Sequence, residues 1–171
     1  MSRIVYVNGR YLPRAQAVVD VEDRGYQFSD GVYEVCEVRA GRLIDERRHL
    51  ARLDRSLAEL RIASPMRGAA LGVVLREIVQ RNRIHDGLVY IQVSRGVAKR
   101  DHAFPAAGTP PSIVVTAKAI DVAASEKIAA DGVAVITMPD DRWARVDIKS
   151  LSLLPNVLAK QAAREQGARE A

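Results

Sequence analysis

Cysteine occurs once in these 171 residues, at Cys36. A lone cysteine excludes an internal disulfide, so no redox staple supports the fold. It reads as a small buried apolar residue, because nothing in the sequence supplies the base that a catalytic thiol needs. Apolar runs are short: Val133 to Met138 falls far below the roughly 20 residues of a spanning helix. The opening Met1-Ser2-Arg3-Ile4-Val5-Tyr6 lacks the apolar core of a signal peptide, so a cytoplasmic location is expected, with no membrane partner. Phosphate loops of the Gly-x-Gly-x-x-Gly or Gly-Lys-Ser/Thr kind are missing, and no His/Cys/Asp spacing suits a metal.

What is present is the balance of a folded chain, 48% hydrophobic and 27% charged, long enough for a domain with a real core. The net charge is +5, supplied mostly by arginine. The arginines are scattered, without a basic tail or an aromatic-interleaved cluster, which argues against a nucleic-acid partner. Phosphates and carboxylates of small molecules suit them better, because the guanidinium fork matches those groups.

Residues 3–7 read as a strand, Asn8-Gly9 as a hairpin turn and 10–12 as the return strand. Residues 17–21 look extended, and Asp23-Arg24-Gly25-Tyr26 reads as a turn. Residues 32–39 alternate, with Val32, Glu34, Cys36 and Val38 on one face and Tyr33, Val35 and Glu37 on the other. Arg42–Ile44 can pair back. Asp45 is a candidate N-cap for a helix to about Arg61 with Leu50, Leu53, Leu57 and Leu60 as its stripe. A second helix, about 66–83, turns Leu71, Val74, Leu75 and Ile78 inward. Strands follow at 88–94, 112–117 and 133–138, with a polar loop at 99–111 and a last helix at 155–166. This order predicts an α+β fold, helices packed on one face of a mainly antiparallel sheet.

Lys149 stands in Asp147-Ile148-Lys149-Ser150-Leu151-Ser152-Leu153-Leu154, a largely apolar segment. It is either an edge-strand lysine turned to solvent or a desolvated amine of the kind that forms Schiff bases. Arg100 and His102, two apart in the polar loop, are a solvated pair or two donors for one carboxylate. Arg52, beside the leucine stripe, either faces water or reaches an anion. Tyr33 serves as a core aromatic on these grounds alone, and Arg142 next to Trp143 says nothing by itself. His49 and His85 carry no signal beyond helix or surface histidine.

Taken together, the segments resemble a family. Glu22-Asp23-Arg24-Gly25-Tyr26-Gln27-Phe28-Ser29-Asp30-Gly31-Val32-Tyr33-Glu34-Val35 is similar to the N-terminal signature of class IV pyridoxal-phosphate aminotransferases, and His49-Leu50-Ala51-Arg52-Leu53 to the family's first-helix motif. Ser94-Arg95-Gly96 with Arg100-Asp101-His102 resembles the D-amino acid aminotransferase branch. Arg142-Trp143 through Leu151 resembles the segment around the cofactor lysine. The resemblance implies the N-terminal two-layer α/β domain of the fold-type IV enzymes over residues 1–120. Residues 121–171 would connect to, and begin, a second domain that holds the cofactor lysine.

By the same resemblance the cofactor is pyridoxal 5'-phosphate and Lys149 its Schiff-base lysine. Arg52 matches the arginine that holds the cofactor phosphate. Arg142 matches one near the cofactor ring, and Glu34 a supporting acid. Tyr33, Arg100 and His102 match the trap for the substrate α-carboxylate, the last two reaching in from the neighbouring subunit, which implies a homodimer. The activity implied is transamination of D-alanine or D-glutamate with a 2-oxo acid acceptor. A branched-chain L-aminotransferase and an aminodeoxychorismate lyase are the rivals within the family. The family carries most of a second domain after the point where this sequence stops, including a carboxylate for the pyridine nitrogen. These 171 residues alone are therefore expected not to be a competent transaminase, and an inactive fragment acting as an interaction module is the rival of another class.

Overall fold

The computed structural model describes residues 3–171. The chain divides into two compact units, a larger one reaching to Ile120 and including Asp147–Leu151, and a smaller one of Asp121–Val146 with Ser152–Ala171. The segment bearing Lys149, grouped by sequence with 121–171, is thus held by the larger unit.

In the larger unit β1 (Ile4–Val7) and β2 (Arg10–Pro13) form a hairpin. Its turn takes Asn8 and Gly9 at φ of 45° and 91°, the positive pair that matches the twist of the flanking strands. A short helix α1 (Arg24–Phe28) leads into β3 (Gly31–Arg39) and β4 (Arg42–Leu43). Helices α2 (Glu46–Glu59) and α3 (Gly68–Arg81) precede β5 (Gly87–Ser94) and β6 (Ser112–Ala119). The described strands form one antiparallel sheet in the order β2-β1-β6-β5-β3-β4.

Alternation decides the layers. Val32, Cys36 and Val38 of β3, Val89, Ile91 and Val93 of β5, and Ile113, Val115 and Ala117 of β6 form a single buried cluster with the helix residues Leu53, Leu57, Leu71, Val74, Leu75 and Ile78. The expected stripes therefore do the packing, with Leu50 and Leu60 only partly buried. Burial pushes the Cys36 thiol up to about 12, aided by the charges of Glu34 and Glu46, so it stays protonated and inert.

Four local expectations change. Residues 23–26 are not a turn: Asp23 caps a helix by accepting from the Gly25 N–H at 2.8 Å. Asp45 does precede α2, but in the left-handed region at φ 50° and without a side-chain cap. In the smaller unit 133–138 is not a strand; it has only a bridge from Val135 to Glu170, because no neighbouring strand offers a ladder. That unit instead contains α4 (Val122–Asp131), which buries none of its side chains and so leaves no stripe to read, and the expected last helix α5 (Leu154–Glu165), with Pro155 in its first turn. Among the described residues no helix is long and apolar enough to cross a membrane.

Gly31 starts β3 where the backbone is crowded: a Cβ there would lie 2.5 Å from the Val93 carbonyl oxygen and 2.8 Å from Leu151 Cδ1. Gly68, in the first turn of α3, has open space. Gly31→Ala is expected to cost about 1–3 kcal/mol in urea unfolding, the scale of overpacking. Gly68→Ala should be neutral or gain up to about 1 kcal/mol. Equal effects at both positions would contradict this placement.

Candidate active site

The two faces of β3 carry different groups of the predicted residues. Glu34 points into the core and has no exposed surface. Its carboxylate accepts from Arg52 Nε, from Arg52 Nη2 at 2.8 Å and from the Val35 N–H at 3.2 Å, and it lies 2.9 Å from His49 Nδ1. Burial alone would push Glu34 up. The hydrogen bonds from Arg52 and His49 and the charge of Arg52 outweigh it and hold the carboxyl below its ordinary 4.5. The same contact raises Arg52, whose side chain remains 44% exposed. Arg52 therefore neutralises Glu34 with one edge while its side chain stays partly open to solvent.

Tyr33 points to the opposite face. There residues 149–151 lie antiparallel along the β3 edge: the Tyr33 N–H donates to the Lys149 carbonyl at 2.9 Å, and the Leu151 N–H to that of Gly31 at 3.0 Å. Ser150 faces Val32 and is buried, which turns Lys149 to the side of Tyr33. Lys149 is half-buried, its Nζ 4.0 Å from the Tyr33 ring centroid. That ring stacks on Tyr90 with centroids 5.6 Å apart, and the Tyr90 hydroxyl donates to Gln92 Oε1 at 3.0 Å. Helix α2 steadies the segment through Ser56 Oγ, which accepts the Lys149 N–H at 3.3 Å, and through Arg55 Nη2, which donates to the Asp147 carbonyl at 2.9 Å.

Arg100 and His102 form a third group on the exposed loop after β5. Both rest on Phe28, the guanidinium carbon 4.7 Å and the imidazole 5.4 Å from its centroid. Their ring contacts go to Phe28 rather than to Tyr33. Arg142, in the smaller unit, is exposed and grips Asp140 through Nε and Nη2 at 2.9 and 2.7 Å, which pulls Asp140 down to about 2.

The structure thus joins Glu34 with Arg52, Tyr33 with Lys149, and Arg100 with His102. Sequence reasoning passed over His49, Ser56 and Tyr90. For His49 a signal existed: it lies three residues before Arg52, so both share one helix face opposite β3. Ser56 and Tyr90 acquire their contacts only through pairing across the chain.

Glu34 is depressed below 4.5, so its contribution to stability is present above that value and fades as pH falls through the lower folded value. Glu34→Gln is expected to cost about 1–3 kcal/mol at pH 7, less than for a fully enclosed pair because Arg52 is half-exposed. The gap between variant and parent should narrow when unfolding is repeated near pH 3. A gap independent of pH would refute the buried carboxylate pair.

Residues 31–171 match the family model for amino-transferase class IV. The chain is 47% identical over 167 residues to the D-alanine aminotransferase of Bacillus licheniformis and 45% identical over 168 residues to that of Listeria innocua, covering 98% of itself and 58% of each relative. It superposes on the branched-chain amino acid aminotransferase of Escherichia coli with a TM-score of 0.85 over 99% of its length and 58% of that chain; at 18% identity this likeness speaks for the fold alone. The chain accordingly spans little more than half the length of the relatives it matches, and it belongs to the class IV aminotransferase family.

Proposed function

We propose that this chain is part of a pyridoxal-phosphate-dependent D-amino acid aminotransferase that moves an amino group from D-alanine or D-glutamate to a 2-oxo acid. The observation that carries this is Lys149 held on the β3 edge with Nζ on the ring of Tyr33. The identity to D-alanine aminotransferases supports the D-amino acid over the L-amino acid branch.

The donor set fits the cofactor. A half-buried amine suits its aldehyde, and a guanidinium braced by Glu34 yet 44% exposed suits its phosphate. When bound, the cofactor supplies an electron sink for the substrate Cα. Lys149 Nζ would hold it and, once the substrate amine has taken its place, would carry the Cα proton over to the cofactor rather than back to Cα. Arg52 would hold the phosphate, with Glu34 fixing its orientation, and Arg142 is the residue the resemblance assigns to the ring. Tyr33, Arg100 and His102 receive the substrate carboxylate, the last two across the interface of a cytoplasmic homodimer. Residues 1–120 act as the N-terminal domain and 121–171 as the connecting segment and beginning of the second, with Asp147–Leu151 packed into the first.

Three measurements test this. Borohydride reduction with pyridoxal phosphate should label Lys149; labelling of Lys118 or Lys160 instead would overturn the assignment. With 2-oxoglutarate as acceptor, the full-length, cofactor-loaded protein should use D-alanine in preference to L-leucine. Arg100→Ala should weaken substrate use by about 2–5 kcal/mol, the scale for losing one partner of a buried charge pair, and leave cofactor affinity unchanged. Arg52→Ala should do the reverse.

A further inference from the structure

Asp30, the residue before β3, ties together three segments of the larger unit. Its carboxylate accepts Arg24 Nε at 2.8 Å, Arg95 Nε at 2.7 Å and Arg95 Nη2 at 2.9 Å. Both guanidiniums are almost enclosed, with side-chain exposures of 4% for Arg24 and 9% for Arg95. Burial would raise Asp30, but these bonds and charges outweigh it and keep the carboxyl below its ordinary 3.8. Two buried cations share one anion, so their remaining N–H groups must find other acceptors.

They find backbone carbonyls at two places. Arg95 donates from Nη2 to Leu60 at 2.8 Å and from Nη1 to Arg61 at 3.1 Å, at the end of α2. Arg24 donates from Nη1 to Asp101 at 2.6 Å and, at a longer 3.5 Å, from Nη2 to His102. The second pair lies in the loop that carries Arg100 and His102. Phe28, one turn after Arg24 in α1, is the platform on which both of those side chains rest. On the far side of the loop Phe104 stacks under Arg95, 3.7 Å from its guanidinium carbon to the ring centroid. An exposed loop without strand or helix is in this way fixed through its backbone by Arg24 and through its side chains by two phenylalanines.

We propose that Arg24 and Phe28 are positioning residues for the Arg100–His102 loop: they preset its backbone and side chains so that an incoming carboxylate meets a formed site, and thereby set amino-acid affinity and the choice of enantiomer. Preorganisation of this kind removes the ordering cost from binding. The proposal rests on the reading that Arg100 and His102 receive the substrate carboxylate.

Arg24→Lys keeps a cation beside Asp30, but a single ammonium cannot reproduce the fork that reaches both Asp30 and the loop. Phe28→Leu keeps apolar volume and removes the platform, along with the ring's own contact to the Arg24 guanidinium carbon at 4.9 Å, while the hydrogen-bonding groups of Arg24, Asp30 and Arg95 all remain. In each variant the backbone order parameters of residues 100–104 should fall from the rigid range of about 0.85 toward about 0.6 or below, with β3 unchanged. In the full-length, cofactor-loaded protein KM for D-alanine should rise about 10–100-fold, the loss expected for hydrogen bonds to a charged group. The preference for D- over L-alanine should fall, while kcat and the cofactor titration stay near the parent's. If Arg24→Lys does not fold, Phe28→Leu decides. Unchanged loop order overturns the proposal. So does a looser loop with parental KM and enantiomer preference while Arg100→Ala impairs substrate use. A looser loop combined with a silent Arg100→Ala would instead sink the carboxylate reading and leave the positioning of the loop standing.

Discussion

A carboxylate with no exposed surface sits among the apolar side chains of β3, and it remains charged because Arg52 and His49 reach it from α2. An unpaired charge at that depth would cost several kcal/mol, so helix and strand are locked in the one arrangement in which the donors meet Glu34. The leucine stripe of α2 could pack against the sheet in neighbouring positions at little cost, since apolar burial has no direction. The ion pair removes that freedom.

The placement of Lys149 depends on α2 being fixed. Ser56 and Arg55, one turn further along, hold the backbone at Lys149 and Asp147, and the β3 edge supplies the remaining backbone bonds. Strand alternation then places Lys149 beside Tyr33, on the face opposite Glu34. A single strand therefore separates the two groups of candidate residues. Its core face anchors the guanidinium proposed for the cofactor phosphate, and its other face carries Tyr33 against the amine proposed to form the Schiff base.

Asp30 repeats the principle at the end of the same strand, with two enclosed arginines rather than one half-exposed one. Each uses the N–H groups left over from the carboxylate to hold the carbonyls of a loop or helix end. Buried charge in this unit consequently serves geometry: among the described residues both enclosed guanidiniums end on backbone carbonyls. The signature from Glu22 to Val35 combines a helix cap at Asp23, a loop anchor at Arg24, an aromatic platform at Phe28, an ion hub at Asp30 and a crowded glycine at Gly31.

Elements with a strong apolar period are dictated by the chain alone. β3, β5, β6, α2 and α3 are legible from alternation or from leucine and valine stripes, because those patterns are the imprint of a one-sided core. The opposite orientation of Tyr33 and Glu34 comes from the same two-residue period. Elements lacking such an imprint mislead: α1 is five residues long and resembles a turn, α4 buries no side chain, and 133–138 has the composition of a strand but only a single bridge, to Glu170. The candidate site residues are named through family resemblance, since a lone lysine or arginine carries no local sign of a role. It takes the folded chain to establish that His49 shares Glu34 with Arg52, that Lys149 lies on the ring of Tyr33, and that Arg24 holds the loop of Arg100 and His102. Each of these contacts joins residues distant in the chain or on different elements, and its energy depends on burial and direction, which exist only once the sheet has paired and the helices have closed over it.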